Sequence, residues 1–334
     1  MQNKAPILTI AIPTYNRSNY LTRLLESLRP QMEEASHLFS LELLISDNAS
    51  TDRTSEIVDS FCCNSIVPCR SFRNKTNLGA DGNILQCFSE AFGKYVWIIG
   101  DDDILLPGSL IAILKLLDRE NFDIVHLRSI PLVEGREHYP RITSLEIASI
   151  DRPEVFALKT HIFLTFITGN IVNKERTLSL PHESFSTLIG TSLVQLSWTY
   201  TLVRNFRRGA VVANPVIAAS SDARGGYALF TVFGTNLKSI GEKWLIEPRL
   251  SQIVVNGTLQ VFFPPFVLGT RQESNVFSEE QAENILASLF SDNIRYRIFV
   301  SPLFRLPKRM ARLWLLLTRV INRLDKALGN PMLR

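Results

Sequence analysis

The sequence is short of the features that would settle its class at once. Its four cysteines, Cys62, Cys63, Cys69 and Cys87, show no paired CxxC spacing and no neighbouring histidine. That argues against a zinc site and makes reduced cytosolic thiols the expectation. No GxxxxGK[ST] loop occurs, and no GxGxxG follows the first strand-like run, so the phosphate cradles of P-loop enzymes and dinucleotide oxidoreductases are missing. No stretch approaches the roughly 18 uninterrupted apolar residues of a membrane-spanning helix, and the opening MQNKAPILTIAIPTYNR has no long apolar segment of the secretory type. Charge of one sign is scarce as well. A net +4 over 334 residues is too little to imply nucleic acid as a partner.

What is present fits a folded globular protein: 46% hydrophobic and 20% charged residues, in a chain long enough for one large domain with an extension or for two unequal domains. The organising stretch is residues 94–106, KYVWIIGDDDILL. Five β-branched or aromatic residues without polar alternation predict a central strand buried on both faces of a parallel sheet. Gly100 ends it and delivers Asp101, Asp102 and Asp103 at the strand's carboxyl end, where open α/β sheets bind ligands. Three adjacent carboxylates repel one another unless water or a cation neutralises them. The alternative is a solvated acidic turn capping a helix that begins near Pro107.

Around this stretch the first 130 or so residues alternate strand and helix signals, the pattern of a βαβ sheet. Strands are expected at 7–12, ended by Pro13, at 41–45, and more weakly at 66–72. Helices are expected from Ser18 to about 28, to about 61, and to about 92. The loops at 13–18, 46–52 and 73–83 are small, polar or acidic, and three successive strand ends of this kind can converge on one cleft. Further on, 123–128 reads as an edge strand, 210–218 as another strand, and the pattern is helical from about 236.

IPTYN at 12–16, SDNASTD at 46–52, Asn77-Leu-Gly79 with Asn83, and GDDD at 100–103 with Pro107 resemble, in order, the motifs of family 2 glycosyltransferases with the GT-A fold. Within that family the chain looks most similar to the abequosyltransferase-like group, which adds dideoxyhexose branches to O-antigen intermediates. The resemblance implies a Rossmann-like mixed α/β sheet flanked by helices. It would form a glycosyltransferase domain over 1–230, with a nucleotide-sugar half at about 1–128 and an acceptor half at about 129–230, and a helical region over 231–334.

The same resemblance carries roles to residues. Pro13, Thr14, Tyr15, Asn16 and Asp47 would hold the nucleobase and ribose; Asn77, Gly79 and Asn83 would lie beside the donor diphosphate, with Asp101 at the donor sugar. Asp101, Asp102 and Asp103 would meet Mg²⁺ or Mn²⁺, whose preference for hard oxygen ligands suits carboxylates. Asp102 would be the principal ligand and Asp103 would share in catalysis. Ordinary strand termination at Pro13 and a simple turn at Gly79 remain open as alternatives. One departure stands out. The family's acid pair, which supplies a general base, is absent from 190–206, and the nearest acids are Glu183 and Asp222. Either could reach an acceptor, and either could be a solvated loop residue.

The C-terminal segment is informative on physics alone. At 100° per residue, Arg305, Lys308, Arg312, Arg319, Arg323 and Lys326 fall within about 60° of arc. Met310, Leu313, Trp314, Leu317, Val320, Ile321, Leu324 and Leu328 fall within about 120° on another side. This is the pattern of an in-plane membrane helix, the alternative being that its apolar side packs on the core. The combined expectation is an enzyme peripheral to the inner face of the cytoplasmic membrane. It would transfer a sugar from a nucleotide donor to a polyprenyl-diphosphate-linked saccharide, with no nucleic acid partner. A metal-dependent phosphatase and a catalytically inactive membrane-binding module are the competing readings.

Overall fold

The computed structural model describes residues 5–136, 138–220, 228–271 and 280–327. It divides into two compact units, the first Met1–Arg152 with Leu164–Ser221, the second Pro153–Phe163 with Asp222–Arg334. The expected boundary near 230 thus compares with one at 221, and an earlier excursion joins the second unit.

The first unit is a mixed sheet flanked by helices. Its elements in chain order are β1 (Leu8–Thr14), α1 (Ser18–Ser36), β2 (Leu41–Asp47), α2 (Thr54–Cys63), β3 (Cys69–Arg73), α3 (Gly79–Glu90), β4 (Tyr95–Ile98), β5 (Ile104–Leu105), α4 (Ser109–Arg119), β6 (Ile124–Pro131) and β7 (Ile147–Ile150). After α5 (Pro153–Thr160), which belongs to the second unit, come β8 (Asn170–Asn173), α6 (Lys174–Leu178), α7 (Leu196–Arg204) and β9 (Gly209–Ala219). Among the described residues the sheet order is β3-β2-β1-β4-β8-β6-β9-β5, with β7 also on β9. β3, β2, β1 and β4 run parallel, and β8 pairs antiparallel to β4. The apolar run at 95–99 is therefore central, and Tyr95, Val96 and Trp97 are fully buried.

Several boundaries differ from the sequence expectation for physical reasons. β1 continues through Pro13 to Thr14, in register with Ser46 and Asp47. The Ala11 carbonyl bonds to Ile99 of the β4 side and the Thr14 carbonyl to Asn48 of the β2 side. The missing N–H of Pro13 therefore faces the β4 side, where pairing has already ended at Ala11, and no ladder bond is lost. α1 extends to Ser36 despite Pro30, because Gln31, Met32 and Ala35 prolong its buried face. Residues 123–128 are not an edge strand: β6 lies between β8 and β9. The expectation of reduced thiols is also corrected, since the end of α2 meets the start of β3 and Cys62 pairs with Cys69 in a disulfide, Cα–Cα 5.2 Å.

The second unit is helical: α5, then α8 (Leu237–Trp244), α9 (Pro248–Gly257), α10 (Phe263–Gly269), α11 (Ala282–Phe290), α12 (Ser301–Arg305) and α13 (Lys308–Ala327). The continuous run Pro248–Gly269 is long and apolar enough to cross a membrane. Leu250, Ile253, Leu259, Phe263 and Val267 along it are nevertheless buried, as befits the central helix of a folded unit.

α13 has three faces. Ala311, Leu315, Thr318 and Asp325 are buried, and Ala311 and Leu315 join the apolar core of the unit. The Trp314 indole N–H donates to the Ile298 carbonyl at 2.8 Å. Met310, Leu313, Leu316, Leu317, Val320 and Leu324 are 47–66% exposed, and Lys308, Arg309, Arg312, Arg319 and Arg323 are exposed too. The apolar side read from sequence is thus mostly in solvent, while a different, smaller-residue face does the packing. Arg305 precedes the helix in α12, and the Lys326 side chain and Leu328 lie outside the described residues.

Candidate active site

The carboxyl ends of β2, β1 and β4 stand side by side and bring their loops together. Asp47 ends β2 almost fully buried. Its Oδ1 accepts the Ser50 N–H at 2.9 Å. Its Oδ2 lies 3.7 Å from Arg73 Nε and accepts no hydrogen bond among the described residues. A buried carboxylate oxygen with capacity to spare asks for a donor, and a nucleobase N–H would serve.

At the end of β4 the three aspartates go different ways. Asp101 Oδ2 accepts the Thr14 hydroxyl at 2.7 Å. Arg17 Nη1 donates to both Asp101 Oδ1 and Asp102 Oδ2, each at 3.1 Å. Asp103 turns away, accepting the Thr168 hydroxyl on Oδ2 at 2.5 Å and the Ser220 N–H on Oδ1 at 2.9 Å. The Thr168 oxygen also accepts the Gly100 N–H at 2.9 Å. A side chain at Gly100 would approach Asp102 Oδ1 to 3.2 Å and Asp103 Oδ2 to 3.4 Å, so glycine is what lets the carboxylates crowd behind it.

Electrostatics follow from this burial. Burial pushes the Asp101 carboxyl up to about 6, against the pull of Arg17 and Thr14. Burial likewise pushes Asp103 up to about 6, against its bonds from Thr168 and Ser220. For Arg17, burial opposes the charge, but Asp101 and Asp102 outweigh it and hold the guanidinium above the ordinary arginine value.

The three aspartates expected to meet a metal are thus engaged differently by the protein. Among the described residues no three His, Cys, Asp or Glu side chains are grouped to hold a metal; Asp103 accepts hydrogen bonds on both oxygens, as Asp101 does from Thr14 and Arg17. Asp101 and Asp102 do fit a divalent ion. They aim at one cation, the Asp102 side chain is 22% exposed, and Mg²⁺ is commonly held by one or two carboxylates together with substrate phosphates.

The loop residues are mostly scaffold. The Asn16 side-chain Oδ1 accepts the Thr51 N–H at 2.7 Å. Asn77 Oδ1 accepts from Asn48 Nδ2 at 2.7 Å and from the Gly79 N–H at 2.8 Å. Asn83, expected beside the diphosphate, is 3% exposed and is tied to the end of β2: its Oδ1 accepts the Ser46 hydroxyl and its Nδ2 donates to the Ser46 carbonyl. Thr14 is similarly committed to Asp101. Gly79 has φ 73° with nothing within 4 Å of an added Cβ, so it answers to backbone conformation and not to crowding. Pro13 is partly buried, and Tyr15, 41% exposed, is free to cover a flat ring. Glu183 sits exposed in the 181–184 segment; Asp222 lies outside the described residues.

Sequence reasoning missed Arg17, Arg23 and Asn48. Arg17 follows directly on Asn16, and its position immediately before the helix start at Ser18 was the available signal. Arg23 Nη2 reaches the Asp102 carbonyl at 3.3 Å, and Asn48 links the loops after β2 and β3.

Comparison with known proteins bears on the fold and the family. The chain is 44% identical over 114 residues to "Abequosyltransferase RfbV" of Salmonella typhimurium, a stretch covering 34% of this chain and 33% of that one. It is 27% identical over 129 residues, 39% of each chain, to "GalNAc(5)-diNAcBac-PP-undecaprenol beta-1,3-glucosyltransferase" of Campylobacter jejuni. These matches span well under half the length of either relative. Among solved structures, S. aureus TarS 1–349 in complex with UDP-GlcNAc superposes with a TM-score of 0.60 at 18% identity, covering 96% of this chain and 92% of that one. The fold is thus that of the GT-A enzymes. Residues 9–177, half of the chain, match the model for glycosyl transferase family 2, and to that family the chain belongs.

Proposed function

We propose that the protein transfers a sugar from a nucleoside diphosphate sugar to a hydroxyl of a lipid-linked saccharide, as in O-antigen or other surface polysaccharide assembly. One observation carries the reading: a buried Asp47, whose Oδ2 accepts no hydrogen bond among the described residues, ends β2, and the Asp101–Asp102 pair follows β4, the two parallel strands that flank β1. Asp47 would accept the base N–H, and Tyr15 would lie over the base. Asp101 and Asp102 would hold Mg²⁺ or Mn²⁺, which stabilises the leaving diphosphate as a Lewis acid when bound. Arg17, already between the two carboxylates, would turn its charge toward the phosphates. Asp103 keeps the strand end in place through Thr168 and Ser220. Glu183 and Asp222 are the candidates for taking the acceptor proton. The likeness to RfbV supports a deoxyhexose such as abequose as the transferred sugar.

The acceptor's lipid gives α13 a purpose. Its exposed leucines beside a row of arginines suit an anionic membrane surface, apolar side inserted and cations at the headgroups. We assign the protein to the inner face of the cytoplasmic membrane on this ground. The test is a thermal-shift panel of UDP-, GDP-, CDP- and dTDP-sugars with Mg²⁺ or Mn²⁺, since a ligand of the native state raises its stability by mass action. One nucleotide sugar should raise Tm more with metal than without. A panel with no response at millimolar concentrations would remove the donor reading.

A further inference from the structure

The 190–195 segment, which opens the 190–206 stretch that carries no acid, is held by a carboxylate from elsewhere. Asp81, in the first turn of α3 and 6% exposed, reaches across to it. Its Oδ2 accepts the Gly190 and Ser192 N–H groups, both at 2.8 Å, and its Oδ1 accepts the Val194 N–H at 3.3 Å. An acid in a helix's first turn is ordinarily explained by the helix dipole. Here the carboxylate is spent on another segment, and on an unusual one: Gly190 has φ 90° and Ser192 φ 60°, a conformation that serine adopts only when its surroundings impose it.

The segment leads toward the aspartates. Gln195, 7% exposed, donates through Nε2 to the Thr165 carbonyl at 2.7 Å, and its Oε1 has no hydrogen-bond partner among the described residues. Three residues on, Thr168 bonds to both Asp103 and Gly100. A continuous set of contacts thus joins α3, whose start carries Gly79, to the end of β4. Gly190 and Ser192 themselves are exposed, and nothing lies within 4 Å of a Cβ built at Gly190.

We propose that Asp81 is a positioning residue that sets the 190–195 segment as the acceptor-facing wall of the site, a wall of backbone and hydroxyl groups that receives a saccharide hydroxyl without supplying the base. This rests on the glycosyl-transfer reading above. All three bonds use the carboxylate as acceptor, and Asp81→Asn would turn one oxygen into a donor facing either the Val194 N–H or the Gly190 and Ser192 N–H groups.

The test measures donor and acceptor steps separately in the full chain. Asp81→Asn should lower kcat/KM for the saccharide acceptor about tenfold or more, leave nucleotide-sugar affinity within about twofold, and raise the share of donor hydrolysed to water. Asp81→Glu should recover part of the loss. Because the asparagine variant removes buried bonds, Ser192→Val gives a second route: a β-branched residue resists φ 60° at an exposed position, so the same selective acceptor defect is expected from a folded protein. Unchanged acceptor kinetics in Ser192→Val, or donor affinity falling by the same factor as acceptor kcat/KM, overturns the proposal. If wild type binds no nucleotide sugar, the glycosyl-transfer reading itself fails, a distinct result.

Discussion

Replacing Leu313 and Leu317 by glutamine should free the protein from anionic membranes while leaving it folded. Full burial of a leucine is worth about 1.5–3 kcal/mol, and these two are already 66% and 47% exposed. Insertion would therefore recover about 1–2 kcal/mol at Leu313 and about 0.7–1.4 kcal/mol at Leu317, scaling by the exposed share. The pair should weaken membrane partitioning by about 2–3 kcal/mol, or roughly 30- to 140-fold. Arg312→Gln with Arg319→Gln should cost a further amount near 1 kcal/mol per charge at low salt and much less at high salt. The assay is co-sedimentation with vesicles containing anionic lipid, at two salt concentrations, with thermal unfolding as the control. Leu315→Gln provides the contrast, because Leu315 is buried in the core of the second unit and its loss should lower Tm without selecting for membrane. Cutting the chain at Pro302 would confuse the two effects, since Leu303, Ala311 and Leu315 would all leave that core. Vesicle binding of the leucine pair variant within twofold of wild type, or a fall of several degrees in its Tm, would refute the reasoning.

Two further outcomes follow from buried groups. Asp47→Ala should raise the donor KM by about 10- to 100-fold with a smaller effect on kcat, as for a charged hydrogen bond worth about 1.5–3 kcal/mol that is made alike in ground and transition states; steady-state kinetics over donor concentration check it. His126 is buried beside Asn170, and burial lowers its pKa from 6.5 to about 4. Above pH 6.5 neither state is charged there; as pH falls from 6.5 to about 4 the unfolded chain takes a proton that the folded one refuses, and stability drops by up to about 3 kcal/mol. Asp101 and Asp103, raised to about 6, act in the opposite sense, giving stability that is full below 3.8 and lost as pH rises through 6. The difference between wild type and His126→Gln in denaturant melts across pH 4–7 therefore isolates the histidine.

Much of the first unit was legible because its signals are local. The unbroken apolar run at 95–99 could only be a doubly buried strand, and the polar strand ends had to gather on one side of a parallel sheet. Less legible were features decided by partners distant in sequence. Nothing near Asp103 announces that Thr168 and Ser220 will claim both its oxygens, and nothing near Asp81 points to Gly190. The position of β6 inside the sheet depends on β9, whose pairing with it comes some 85 residues later. On α13 periodicity separated basic from apolar residues, but the buried face of Ala311, Leu315, Thr318 and Asp325 is too mixed in polarity to be recognised as the packing side.

The central claim is tested most directly by nucleoside diphosphate release from the donor selected by thermal shift, measured with Mg²⁺ or Mn²⁺ and a polyprenyl-diphosphate-linked saccharide, for wild type and Asp102→Asn. The account predicts release that requires both metal and acceptor in wild type, and a loss of about a hundredfold or more in the variant with an unchanged thermal midpoint. Release by Asp102→Asn within about threefold of wild type at saturating metal would contradict it.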